Sequence, residues 1–269
     1  MTVTDPGIDT LAPVEGLSVS LTDGVLSVTI DRPDSLNSVT TPVLAGIADA
    51  MENAARDPRV KVVRLGGAGR GFSSGAGISA EDAADGVPTE IIVEANRAIR
   101  AIAALPRPVV AVVQGPAAGV GVSLALACDL VLASDKAFFM LAFTKIGLMP
   151  DGGASALVAA AIGRIRAMRM ALLAERLPAV DALAWGLISA VYPAEEFDAE
   201  VDKVLAQVMA GPAVAFAKTK HAINAATLTE LDGALDREYV GQSILLAAND
   251  FREGTKAFQE RRDPAFTDA

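Results

Sequence analysis

The chain has 269 residues, 52% of them hydrophobic, and a formal net charge of −10. That length and apolar content allow a sizeable core, while the acidic balance argues against nucleic acid or an anionic membrane as partner, because both reward a clustered basic surface. A single cysteine, Cys128, excludes an intrachain disulfide, and with a single histidine, His221, it excludes the usual zinc sites.

Residues 1–16, MTVTDPGIDTLAPVEG, have neither a basic flank nor an apolar core of signal-peptide type, and read as a flexible tail on a cytoplasmic protein. Two alternating runs within LSVSLTDGVLSVTI (17–30) meet at Asp23-Gly24, a dipeptide suited to the positive φ angles of a tight hairpin turn. TPVLAGIADAMENAARD predicts a helix with proline in its first turn, and VKVVRLGG returns as a strand ending in glycines. Residues 89–105 predict another helix, closed by Pro106. PVVAVVQG (108–115) and DLVLAS (129–134) predict buried strands.

Residues 108–128 carry no charge and are long enough to be tested as a membrane span. Gln114-Gly115-Pro116 interrupts them and Asp129 closes them, so a buried strand, a tight loop and a buried helix fit better. From Ala154 onward helix follows helix, broken only by GLISAVYP. The expected organisation is the tail at 1–16, a sheet-based core at 17–195 that carries the site, and a helical region at 196–269.

Two glycine-rich loops stand out. In RGFSSGAGIS (70–79), Gly75-x-Gly77-x-x-Ala80 formally satisfies a dinucleotide-binding fingerprint. That fingerprint begins directly after its strand, whereas GGAGRGFSS lies between Leu65 and Gly75, and no Lys-Ser or Lys-Thr follows to make a Walker phosphate loop. In QGPAAGVGVSLALACD, Gly119-Val120-Gly121 directly precedes an apolar helix, whose first amides lack intrahelical partners and sit at the positive end of its dipole. Two such loops can supply two amides to one oxygen, an oxyanion hole for a thioester or ester carbonyl becoming an enolate. The alternative is that the glycines only permit close packing. His221 lies in the amphipathic helical pattern PAVAFAKTKHAINAA, which points to a structural or surface role.

GRGFSSGAGIS, PVVAVVQGPAAGVGVSLALACDLVLAS, FTKIGLMPDGGAS, ERLPAVDALAWGLISAVYP and REGTKAFQERRDPAF, in that order, resemble the successive signatures of the crotonase superfamily, the enoyl-CoA hydratases and isomerases. The resemblance runs from about Leu17 to Phe266. It implies an α/β fold, a spiral of β-β-α repeats with a helical C-terminal region that mediates homotrimers, often paired into homohexamers. It also implies an acyl-CoA thioester substrate, with coenzyme A as part of that substrate and no separately bound cofactor. Carried over by position, the oxyanion amides belong to Ala76 and Val120, and Gly77, Ile78 and Ser79 line the acyl-CoA channel. Arg261, in AFQERRDPAF, matches the basic residue that reaches the CoA phosphates.

The departures from the family pattern carry information too. Hydratases of the family activate water with two glutamates, and the matching positions here are Ser123 and Phe143, which line the same substrate site and cannot do carboxylate chemistry. Gly77 stands where many members have aspartate, although it is the amide that serves the oxyanion. Asp151 in GLMPDGGAS resembles the proton-moving aspartate of several isomerase branches. Its position also suits an N-cap of the helix that follows, and both roles can hold. Phe138, Phe139, Met140 and Phe143 are candidates for a dry wall that raises the aspartate pKa, with Phe138 and Phe139 read as ordinary core.

The reading that results is an isomerase shifting the double bond of an enoyl-CoA, with Asp151 as acid-base. Two alternatives stand beside it. One is a hydratase or other crotonase reaction using an unplaced carboxylate such as Glu81 or Asp82, which otherwise read as solvated helix-start residues. The other is an acyl-CoA binding protein without turnover.

Overall fold

The computed structural model describes residues 7–77 and 89–268. β1 (Leu17–Thr22) and β2 (Val25–Ile30) form the expected antiparallel hairpin. Asp23 and Gly24 take φ values of 50° and 89°, as a two-residue turn with the strand twist requires. The chain then runs through α1 (Thr41–Ala54), with Pro42 in its first turn, to β3 (Val62–Gly67), and through α2 (Glu90–Ala104) to β4 (Val109–Val113). Next come β5 (Ala117–Ala118), α3 (Val120–Leu126), β6 (Leu130–Ser134) and β7 (Phe138–Met140). α4 (Ala154–Leu173), β8 (Leu177–Pro178), α5 (Ala179–Trp185) and β9 (Ala190–Tyr192) follow. Four helices end the chain: α6 (Phe197–Met209), α7 (Ala213–Thr227), α8 (Leu231–Leu246) and α9 (Asn249–Glu260).

The larger sheet has the order β1-β2-β3-β4-β6-β9 and is parallel from β2 onward, and the smaller has the order β5-β7-β8. Successive strands β4, β5, β6 and β7 alternate between the two sheets. Parallel bridges from Val39 to Ala76 and from Ser73 to Ala117 extend the smaller sheet toward earlier turns of the chain. Each turn therefore leaves one segment in each sheet and returns through a helix, which is the β-β-α spiral.

A parallel sheet must be covered on both faces. Val63, Leu65, Val109, Ala111 and Val113 face the main core shared with α1 and α2. The alternate residues Val62, Val110, Val112 and Leu132 pack on Phe197, Val201 and Leu205 of α6. The continuous apolar run of β4 follows from this, since all five of its residues are buried.

Residues 7–16 depart from the expected flexible tail. A 3-10 turn at Ile8–Thr10 buries Ile8, whose N–H donates to Asp57 Oδ2 at 3.2 Å. The Arg59 guanidinium holds that Asp57 carboxyl well below the usual carboxylate range. The segment can be ordered because it has a buried apolar anchor and a charge-assisted acceptor; residues 1–6 lie outside the described residues.

Among the described residues no helix is long and apolar enough to cross a membrane, and no cluster of three His, Cys, Asp or Glu side chains can hold a metal. His221 is exposed on α7. Cys128 is buried, its thiol pushed up by desolvation.

Candidate active site

The two glycine loops are zipped together by main-chain hydrogen bonds. Phe72 and Ser73 N–H both donate to the Pro116 carbonyl, at 3.0 and 3.1 Å, and Ala118 N–H donates to Ser73 O at 2.8 Å. Asn37, fully buried at φ 59°, braces the first loop by donating to Ala68 O and Gly71 O at 2.8 and 2.7 Å. Gly75 and Gly119 meet at the junction, both at positive φ. Directly after each glycine come Ala76 and Val120, which line one cleft. Neither of their N–H groups donates a hydrogen bond among the described residues, and Val120 opens α3. Two free amides beside a helix N-terminus can receive an oxygen that gains negative charge.

The cleft encloses about 100 Å³. Leu44 of α1, Ile92 and Ala95 of α2, Leu246 of α8, and Phe143 and Ile146 of a 3-10 turn at Ala142–Ile146 make its apolar walls. α9 packs directly behind that turn. A β-carbon on Gly254 would lie 2.5 Å from the Cα of Ile146, so only glycine fits there.

Asp151 is the one titratable side chain lining the cleft among the described residues. Burial against the apolar walls pushes its carboxyl up to about 7, and the nearby charge of Glu238 adds to the rise, while a hydrogen bond from Gln242 opposes it. Gln242 Nε2 donates to Asp151 Oδ2 at 2.8 Å, and Gln242 Oε1 accepts from Met149 N–H at 3.2 Å. Asp151 Oδ1 accepts no hydrogen bond among the described residues. Ser123 Oγ donates to the Asp151 carbonyl at 2.8 Å.

The N-cap expected of Asp151 is corrected here. Its side chain makes no bond to the helix start; instead Glu238, from α8, accepts from Gly153 N–H at 2.6 Å and Ser155 N–H at 2.9 Å. A carboxylate from a distant helix satisfies the exposed amides of α4, which leaves Asp151 free to face the cleft.

The remaining expected residues divide. Ala76, Val120, Phe143 and Asp151 share the cleft. Ser123 is fully buried and touches Asp151 from behind, outside the lining. Gly77 is exposed, its N–H bound to Val39 O at 3.0 Å, and does not line the cleft. Arg261 is exposed at the C-cap of α9, also outside the lining. Of the proposed dry wall only Phe143 contributes: Phe139 is core, and Phe138 lies under the Arg176 guanidinium, 4.8 Å from it. Ile78, Ser79, Glu81 and Asp82 lie outside the described residues.

Sequence reasoning missed Asn37, Glu238 and Gln242. For the last two a signal exists. Leu231, Ala234, Leu235, Glu238, Gln242 and Leu246 are the buried stripe of α8, at helical spacing, and two of the six are polar. Polar residues on a buried stripe need partners, and these two find theirs around Asp151.

Residues 20–269 match the family model described as Enoyl-CoA hydratase/isomerase. The chain is 75% identical to the crystal structure of an enoyl-CoA hydratase from Mycobacterium avium subsp. paratuberculosis K-10, with a TM-score of 0.90 over 95% of this chain and 100% of that one. It is 36% identical to the 1,2-epoxyphenylacetyl-CoA isomerase of Escherichia coli, covering 91% of this chain and 95% of the relative. It is 32% identical to the trans-2-decenoyl-[acyl-carrier-protein] isomerase of Streptococcus mutans, over 91% and 95% of the two chains. Relatives named for hydration and for isomerisation thus both match this chain, and the chain belongs to the enoyl-CoA hydratase/isomerase family.

Proposed function

We propose that the protein is an isomerase that shifts the double bond of an enoyl-CoA thioester. The observation that carries this reading is the single carboxylate of Asp151 in a mostly apolar cleft that two free amides also line. With the thioester oxygen held by the Ala76 and Val120 N–H groups, the C2 proton of a 3-enoyl chain becomes acidic. Asp151 takes that proton, and the electron pair of the broken C2–H bond spreads over the dienolate. The same carboxylic acid then returns the proton to C4, so the double bond moves from C3–C4 to C2–C3 with no net change in atoms or oxidation state. A carboxyl titrating near 7 suits both halves of this cycle.

Hydration needs a positioned water and a second acid-base group. Phe143 is apolar and Ser123 is spent on the Asp151 carbonyl, which argues against it. Exposed Arg261 is assigned to the CoA phosphates on the family likeness. Gly77, Ile78 and Ser79 are assigned to the acyl-CoA channel on the same basis. Self-association as a trimer or a pair of trimers is supported by the apolar side chains exposed on α4 and α5. The test offers the purified protein a panel of 3-enoyl and 2-enoyl CoA thioesters. Conjugation of the 3-enoyl substrates is expected, and efficient hydration of crotonyl-CoA, on the order of ten turnovers per second without isomerisation, would overturn the reading.

A further inference from the structure

The segment from Met149 to Gly153, which carries Asp151, lies outside helix and strand, and three amides in it and at the start of α4 are held by just two side chains. Gln242 takes Met149 N–H, and Glu238 takes Gly153 and Ser155 N–H. The two sit one helical turn apart on α8 and are 2% and 1% exposed, so neither is free to turn toward water. Because Met149 N–H can only donate, it fixes Gln242 with its oxygen toward Met149 and its NH₂ toward Asp151. One carboxylate oxygen is thereby engaged and the other left without a partner on the cleft side.

We propose that Glu238 and Gln242 are a positioning pair for proton transfer: Glu238 clamps the turn that carries Asp151, and Gln242 holds Oδ2 so that Oδ1 faces the substrate. As acid-base positioning this rests on the isomerase reading, but the geometric claim does not. The two side chains act on the carboxyl in opposite directions. Gln242 donates to the ionised form and favours it, while the Glu238 charge disfavours it. The other elements around the cleft present Ile92, Ala95, Val120, Phe143 and Ile146, all uncharged, and Lys145 is exposed outside the lining.

The opposition supplies a test that a merely structural role does not satisfy. The Asp151 carboxyl is titrated directly by infrared difference spectroscopy of the full-length protein, with Asp151→Asn identifying its band. Gln242→Met, which keeps length and loses the donor, should move the midpoint up by about one pH unit. Glu238→Gln, which keeps one acceptor and loses the charge, should move it down. With a 3-enoyl-CoA substrate, Gln242→Met should lower kcat by roughly 10- to 100-fold, shift the acidic limb of the pH profile upward in parallel, and leave KM nearly unchanged. Midpoints that stay put, or that move in the same direction in both variants, overturn the proposal. If Glu238→Gln does not fold, the direction seen in Gln242→Met decides alone. If Asp151→Asn isomerises at full rate, the functional reading fails while the titration still judges the pair.

Discussion

A β-carbon on Gly75 would lie 3.0 Å from the Ala118 carbonyl oxygen and 3.4 Å from the Cα of Gly119, so Gly75 and Gly119 stack backbone on backbone. Gly75 also holds φ at 95°, where an alanine is strained. Gly75→Ala must push the loops apart and displace the neighbouring Ala76 and Val120 amides. Affinity for a saturated acyl-CoA should fall roughly 5- to 150-fold by calorimetry, as expected from about 1–3 kcal/mol of strain or misalignment. Unchanged affinity would show that the amides do not hold the thioester.

Asp151→Asn should separate activity from stability. The amide cannot accept and return a proton, so isomerisation should drop at least about a hundredfold. The folded carboxyl titrates near 7 against 3.8 in the unfolded chain. The native state therefore binds more protons than the unfolded state between those values, and the parent protein loses stability as pH rises through that window. The variant lacks the charge and escapes the loss. It should be more stable by on the order of 2 kcal/mol at pH 8, with the gap closing toward pH 4. Thermal unfolding at both pH values gives the answer, and a variant less stable at pH 8 would contradict the burial argument.

Lys220 ties α7 to the core. Its ammonium, on a side chain only 8% exposed, donates to Ile102 O at 2.8 Å and Asp129 Oδ2 at 2.9 Å. Lys220→Met leaves the Asp129 carboxylate, which still accepts from Val109 N–H, without its cation. The loss should be about 3 kcal/mol, a fall in Tm of roughly 6 to 12 °C, with kcat unchanged.

Ile165 and Leu172 of α4 and Val180 of α5 are 78%, 62% and 59% exposed. Light scattering should report an oligomer, and Leu172→Glu should shift it toward the 27.6 kDa monomer. A parent protein that is monomeric at working concentration would remove this expectation.

Arg261→Gln should weaken acyl-CoA binding at low salt, with the two proteins converging as salt is raised. Equal affinities at low salt would take Arg261 out of the binding site.

Much of this was legible in the sequence because it is local. Asp23-Gly24 encodes its own turn, and the continuous apolar run of β4 encodes burial on both faces. Val120 was singled out by the glycines around it at the start of a helix, whereas Asp151 beside its glycine pair suggested a helix cap, and only the family resemblance pointed to an acid-base role. Glu238 was not legible because its function is 85 residues away, at Gly153, and DREYVGQ reads in isolation as the polar part of an ordinary helix. The N-cap was expected in the right place but from the wrong carboxylate, since spacing shows that a helix start needs an acceptor and not which part of the chain will deliver it. Asn37 was hidden for the same reason, its acceptors Ala68 and Gly71 lying beyond a whole helix.

The contact between Gly254 and Ile146 bears on which acyl groups the protein can accept. Side chains adapt to a longer substrate by changing rotamer, but behind Ile146 main chain rests on main chain, so the turn that carries it cannot retreat. That side of the cleft is an anvil. Selection for acyl length is expected to fall on Leu44, Ile92 and Leu246, lining side chains from three helices whose truncation opens space without moving a helix.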